Sequence, residues 1–185
     1  MPTKPKNSST EPGRDQCQTP WYAVKPLLPY LPARSTIWEP ATGKGNIAFY
    51  LRTKGYSVVE GDLRTGQDFF SPASEPKAWD ILVTNPPFSI KYKWLERCYQ
   101  LGKPFALLMP VDVLGAWGGQ KWFRKYGFEW MFFNRRVNYD MPNKGWSGAG
   151  SQFSSAWFCW KLLPKQVMFV DIPIVKTGQL MLLDV

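Results

Sequence analysis

From Trp21 onward, short apolar runs alternate with amphipathic or turn-rich stretches. "STIWEPA" reads as a strand that runs into a glycine loop. "NIAFYLRTKGY" then places Ile47, Phe49, Tyr50 and Leu51 before the helix-stopping Gly55. "YSVVEGDL" predicts a second strand and "WDILVTN" another. "IKYKWLERCYQLGK" sets Ile90, Trp94, Leu95, Cys98 and Leu101 near helical spacing, again stopped by glycine. "PFALLMPVDVL" is nearly continuous in apolar residues, as expected of a strand covered on both faces. "AWGGQKWFRKYG" predicts a short helix, and "FEWMFFN" and "SAWFCWKLL" late strands. After Pro164, apolar patches at residues 168–174 and 180–183 are expected to add a strand or to pack on the sheet. Strands alternating with helices imply a parallel α/β sheet.

There is no internal repeat and no second block of composition, so the 185 residues predict one domain with a sizeable core. The start, "MPTKPKNSSTEPGRDQ", is polar and proline-rich with no apolar centre. It reads as a disordered arm over residues 1–18, not as a signal peptide, with the folded domain over 19–185. No apolar run approaches the roughly 18 residues a membrane span requires. Cys17, Cys98 and Cys159 are scattered singly, which matches neither a disulfide framework nor zinc-ligand spacing, so reduced thiols in a cytoplasm are expected.

Histidine is absent, which excludes Ser-His-Asp hydrolysis, Cys-His chemistry and His-based metal sites. The net charge is +9 and 16% of residues are aromatic. A basic, aromatic-rich surface suits a polyanion with stackable bases.

Two stretches carry candidate chemistry. In "IWEPATGKGNIAFYL", Gly43 and Gly45 allow backbone close to a ligand, and the next helix offers unpaired N–H groups. With Ala48 the spacing G-x-G-x-x-A also suits a dinucleotide fold. Glu39-Pro40 separates the readings, because a carboxylate at the strand tip disfavours a pyrophosphate and suits a cation. S-adenosylmethionine has an ammonium group and no phosphates. At the end of the second strand, Asp62 is placed to take ribose hydroxyls, with Leu63 to pack on an adenine face. Glu60 competes, but Asp62 lies nearer the carboxyl end, where such sheets bind ligands. In "GQDFF", Asp68 offers an acceptor for an adenine amino group, beside Phe69. The second stretch is "WDILVTNPPFS", in which a strand cannot continue through Pro86 and Pro87. An amide and an aromatic ring are thus held on a stiff backbone.

"EPATGKG", "GDL", "QDFF" and "NPPF" stand in the order that resembles class I S-adenosylmethionine-dependent methyltransferases. "NPPF" resembles the amino-methyltransferase group, chiefly the DNA N6-adenine methyltransferases, and the small size their compact phage-like members. The resemblance spans roughly residues 19–163. It implies a Rossmann-like α/β fold with a mostly parallel seven-stranded sheet flanked by helices. It also implies S-adenosylmethionine as cofactor, S-adenosylhomocysteine as product, and no metal. Glu39 stands where the family often has Asp, and the charge is kept. Cofactor binding falls to Glu39, Pro40, Ala41, Gly43, Gly45, Asn46, Asp62, Leu63, Asp68, Phe69 and Asn85. Thr19, Pro20 and Trp21 of "TPWY" resemble the segment that closes over the cofactor's methionine end.

Asn85, Pro86, Pro87 and Phe88 form the expected catalytic quartet. The adenine N6 is a poor nucleophile because its lone pair is delocalised into the ring. The Asn85 side-chain oxygen and the Pro86 carbonyl can accept its two N–H bonds and free that pair. This is positioning more than acid–base catalysis. Phe88 would stack on a base that is flipped out or already single-stranded.

The expected partner is DNA, single- or double-stranded, bound by a monomer or homodimer through loops at about 88–94, 115–127 and 135–153, with no separate target-recognition domain. Lys91, Lys93, Lys121, Arg124, Arg135, Arg136, Lys144 and Trp146 are the expected contacts. RNA adenine or guanine amino methylation, protein glutamine methylation, and a non-catalytic nucleic-acid-binding module of the same fold are the alternatives.

Overall fold

Alternate residues of each strand face opposite sides of a sheet, and here each side meets its own helices. The computed structural model describes residues 17–139 and 153–174. Strands β1 (Thr36–Glu39), β2 (Ser57–Glu60), β3 (Ile81–Thr84), β4 (Phe105–Pro110), β5 (Glu129–Phe133), β6 (Ser155–Trp160) and β7 (Val167–Val170) form one seven-stranded sheet. Its order is β2-β1-β3-β4-β6-β5-β7. The first four neighbours are parallel, β6 is antiparallel to both β4 and β5, and β7 is parallel to β5. Among the described residues only β6 is reversed, so the sheet is mostly parallel, as expected.

On one face, Ile37, Ile81, Val83, Ala106, Leu108, Met131 and Trp157 pack under α1 (Trp21–Val24), the 3-10 stretch Lys25–Tyr30, and α2 (Asn46–Thr53). On the other, Trp38, Leu82, Leu107, Met109, Trp130 and Phe158 pack under α3 (Lys91–Leu101) and α4 (Trp117–Tyr126). Every residue of β4 is buried, which is why its run in the sequence is apolar without alternation. Each large side chain so buried contributes about 1.5–3 kcal/mol. The Trp157 indole N–H also donates to the Ala23 carbonyl at 2.7 Å, tying α1 to the sheet without an orphaned donor.

The helices bury slightly different stripes from those predicted. In α2 the inward face is Ile47, Ala48, Tyr50 and Leu51, and Phe49 is 57% exposed on the opposite side. In α3 it is Trp94, Leu95, Cys98 and Tyr99, while Ile90 lies ahead of the helix and is exposed. The Tyr99 hydroxyl donates to the Gly127 carbonyl at 2.7 Å, so a polar-tipped ring takes a core position. Residues 17 and 18, expected in the arm, are part of the fold. Gln18 is buried and hydrogen-bonded to the glycine loop, so the folded part includes Cys17 and Gln18. Residues 167–170 supply the strand expected after Pro164, and 180–183 lie outside the described residues.

Candidate active site

From β1 the chain crosses to β2 on one side and later enters β3 on the other, so the carboxyl ends of β1 and β3 part. A crevice at such a switch point is where open α/β sheets bind ligands. Here it is a cleft of about 530 Å³, lined by the end of β1 and by the segments that follow β1, β2 and β3.

Glu39, the last residue of β1, forms part of its wall and is 1% exposed. The Thr84 hydroxyl, at the end of β3, donates to Glu39 Oε1 at 2.8 Å, and Oε2 is buried without a partner. Burial pushes the Glu39 carboxyl up to about 8, against the Thr84 hydrogen bond and with help from the nearby Glu60 and Asp62 charges. The arrangement suits a cationic group, which would relieve both the orphaned oxygen and the disfavoured charge.

The glycine loop follows. Gly43 (φ 60°) and Gly45 (φ 85°) are left-handed, which L side chains rarely adopt. Gln18 braces the loop by accepting the Lys44 N–H at 2.9 Å, and a Cβ on Gly43 would stand 3.0 Å from the Gln18 amide nitrogen. Sequence reasoning missed Gln18, Thr84 and Arg64, because each acts through a neighbour and carries no motif of its own.

Asp62 stands at the cleft with its acceptor positions filled. Oδ2 accepts from the Gly43 N–H at 2.9 Å and from the Arg64 guanidinium at 2.9 Å. Oδ1 accepts from the Arg64 N–H at 2.9 Å and from Arg64 Nε at 2.8 Å. These bonds, the Arg64 side-chain contact first, hold the Asp62 carboxyl below its usual range. Four lone-pair sites are all that a carboxylate has. A diol can use Asp62 only if Arg64 moves, which its half-exposed side chain permits. Glu60, the competing acid, is paired with Arg52 and does not line the cleft.

Asp68 lines the cleft and accepts the Phe70 N–H at 3.0 Å. Phe69 also lines it but is 3% exposed and stacked on Trp94, with ring centroids 4.0 Å apart. The exposed apolar lining comes from Leu63 (73%), Phe70 and Ile90. Pro40, Ala41, Asn46 and Pro87 line the cleft, whereas Pro20, Trp21, Gly45, Pro86 and Phe88 do not. Thr19 does, with its buried hydroxyl unpartnered, while the Trp21 ring packs on Tyr22 and Tyr50.

Asn85 follows β3 directly. Its Nδ2 donates to the Cys17 carbonyl at 3.2 Å, and Oδ1 is buried with no partner. A carbonyl can only accept, so the amide nitrogen must face Cys17 and the oxygen is left over. The Phe88 ring meets Phe153 and Tyr139 edge-on, with centroids 5.3 Å and 6.4 Å away.

Of the basic candidates, Lys93, Lys121, Arg124, Arg135 and Arg136 are exposed. Lys91 is half-buried, lies over the Tyr92 ring and faces Asp112 at 3.7 Å, so it offers little free charge. Lys144 and Trp146, and residues 140–152 of the third loop, lie outside the described residues. Among the described residues, no cluster of acidic or cysteine side chains could hold a metal ion, and no helix is long and apolar enough to cross a membrane.

Strand order, the reversed β6 and the crevice at the β1/β3 switch point define a Rossmann-like class I methyltransferase fold. The structure is similar to a protein provisionally described as a modification subunit of a type I restriction enzyme from Vibrio vulnificus YJ016. The TM-score is 0.52 at 12% identity, over 93% of this chain and 49% of that one. This chain therefore spans about half the length of that subunit. Two other similar structures are described as a predicted O-methyltransferase from Agrobacterium tumefaciens and, provisionally, an RNA methyltransferase from Pyrococcus horikoshii. The first has a TM-score of 0.44 at 12% identity, over 86% of this chain and 89% of that one. The second has 0.44 at 11%, over 75% and 76%. No family model matches the sequence, and no curated protein does either.

Proposed function

We propose that this chain transfers a methyl group from S-adenosylmethionine to the exocyclic N6 of adenine in DNA. The observation that carries the reading is the buried, partnerless Asn85 Oδ1, fixed in orientation by the Nδ2 bond to the Cys17 carbonyl. A buried acceptor left unmade costs about 1–3 kcal/mol, and an incoming N–H removes that cost. Glu39 Oε2 and Thr19 Oγ1 are orphaned in the same cleft, and an ammonium group is a donor that can meet them.

When bound, the cofactor supplies an electrophilic methyl group on a sulfonium. Glu39 holds its ammonium end, Asp62 its ribose after Arg64 has moved aside, and Asp68 its adenine amino group. Leu63 and Phe70 shield the adenine faces. Asn85 Oδ1 accepts one N–H of the target amine, which concentrates the lone pair on nitrogen. The stiff Pro86-Pro87 backbone keeps that oxygen in place, so no reorganisation is needed as the reaction proceeds. Phe88 stacks on the displaced base, and the single domain binds DNA through its own loops, Lys93, Arg135 and Arg136 included.

The test is direct. Purified protein and cofactor with an isotopically labelled methyl group are incubated in parallel with DNA and with RNA, and the digested nucleosides are separated. Label in N6-methyladenine is expected. Label only in RNA would move the substrate to the alternative class, and no label in any nucleoside would overturn the reading.

A further inference from the structure

A second basic surface lies at the far end of the sheet from the cleft. The cleft sits at the carboxyl ends of β1 and β3. Trp160, the last residue of the reversed β6, pairs with Phe105, the first of β4, and therefore sits at the amino end. With strands of this length the two ends are roughly 20 Å apart. The loop after Trp160 and the turn between α4 and β5 meet there in a shallow groove of about 330 Å³. Tyr126, Trp160, Lys161 and Lys165 line it, and Lys125 is adjacent in sequence.

The groove joins cations to ring faces. Lys161 Nζ stands 4.1 Å from the Trp160 ring centroid and Lys125 Nζ 4.8 Å from that of Tyr126. Tyr126 is 36% exposed, and its ring is backed by parallel stacking on Tyr99 and Trp122. The rings are thus held rigidly. Lys161 adopts φ 56°, a left-handed conformation unusual for a residue with a Cβ. Among the described residues, Lys125, Lys161 and Lys165 make no ion pair. The one carboxylate in the groove, Glu129, is turned to the backbone, where its Oε2 accepts from Leu162 N at 2.9 Å and Leu163 N at 2.7 Å. Three lysines against one carboxylate, with no ion pair among the described residues and an aromatic platform beside them, suit phosphates with stackable bases.

We propose that this groove is a second nucleic-acid-binding site, for a single strand, distinct from the cleft that would accept the target base. A strand held at the amino end leaves the cleft open, so one protein engages two segments of nucleic acid. The inference does not depend on the reaction proposed for the cleft.

The probe is a fluorescent single strand of about 12 nucleotides, within the span that such platforms cover. Bound strand should protect Lys125, Lys161 and Lys165 from acetylation. The triple variant Lys125→Glu, Lys161→Glu, Lys165→Glu should lose at least tenfold in affinity and show a shallower dependence on salt. Its cofactor binding should be unchanged. A control with the same charge change, Arg34→Glu, Lys54→Glu, Lys77→Glu, should lose much less. Tyr126→Ala should weaken binding with no change of charge. Three results would each overturn the proposal: unprotected lysines with strand bound, equal losses in the two triple variants, or protection by anionic lipid vesicles and not by the strand.

Discussion

Thr84 Oγ1 donates to Glu39 Oε1 at 2.8 Å, joining the ends of two adjacent parallel strands across the floor of the crevice. The bond satisfies one carboxylate oxygen and leaves the other facing the site where a cation is wanted. The Glu39 carboxyl, raised to about 8, sits well above its ordinary value of 4.5. In the unfolded chain it loses its proton first, so the unfolded state binds fewer protons between about 4.5 and 8, and stability falls as pH rises through that window. Glu39→Gln should flatten this part of the stability–pH curve and raise Tm near pH 8, measured by thermal unfolding across pH.

The same residue predicts proton release. A bound ammonium group lowers the Glu39 pKa, so cofactor binding near pH 7 should release a fraction of a proton and tighten as pH rises towards 8. Calorimetry in buffers of different ionisation enthalpy measures this directly. The release should vanish in Glu39→Gln, together with most of the affinity.

Arg64 and Asp62 should respond in opposite directions. Asp62→Ala removes the acceptor and should weaken cofactor binding tenfold or more. Arg64→Ala removes the competitor for that acceptor, along with the guanidinium bond to the Gly43 carbonyl at 2.6 Å. Exposed pairs of this kind are worth about 0.2–1 kcal/mol, so affinity should stay level or improve up to about fivefold. Equal losses in both variants would show that Arg64 belongs to the bound state.

Asn85→Ala should keep cofactor affinity and lower kcat about a hundredfold or more, the usual cost of one lost positioned acceptor. Asn85→Asp keeps an oxygen towards the cleft but sets another against the Cys17 carbonyl, which has no proton to give. Partial activity with a lower Tm is the expected outcome. An Asn85→Ala variant with full activity and unchanged stability would leave the quartet as a rigid turn.

Phosphate contact through Arg135 and Arg136 should show in the salt dependence of duplex binding. The slope of log affinity against log salt is about −0.9 per phosphate neutralised. Replacing both arginines should flatten it by up to about two units.

Much of this arrangement was legible in the chain. The continuous run at β4, the glycine loop after Glu39 and the double proline after Asn85 each impose a backbone constraint that few other structures satisfy. The site's carboxylates could be placed because strand ends fix where their side chains emerge. What stayed hidden depends on partners far apart in sequence. Nothing local marks Gln18 as the brace of Gly43, Thr84 as the donor to Glu39, or Arg64 as the occupant of Asp62. The outward turn of Phe49 was hidden for a related reason, since a short helix admits more than one apolar stripe and packing chooses between them.

The reversed β6 has a consequence for synthesis on the ribosome. β4 and β5 are never hydrogen-bonded to each other, because β6 lies between them and pairs with both. While residues up to Phe133 emerge, the outer edge of β4 therefore has no partner. It stays open until Trp160 has left the exit tunnel. A fully apolar strand with an open edge invites pairing with other chains. The growing chain is thus most prone to aggregation in the interval between the fifth strand and the sixth, and β6, made after both of its neighbours, closes the sheet from within.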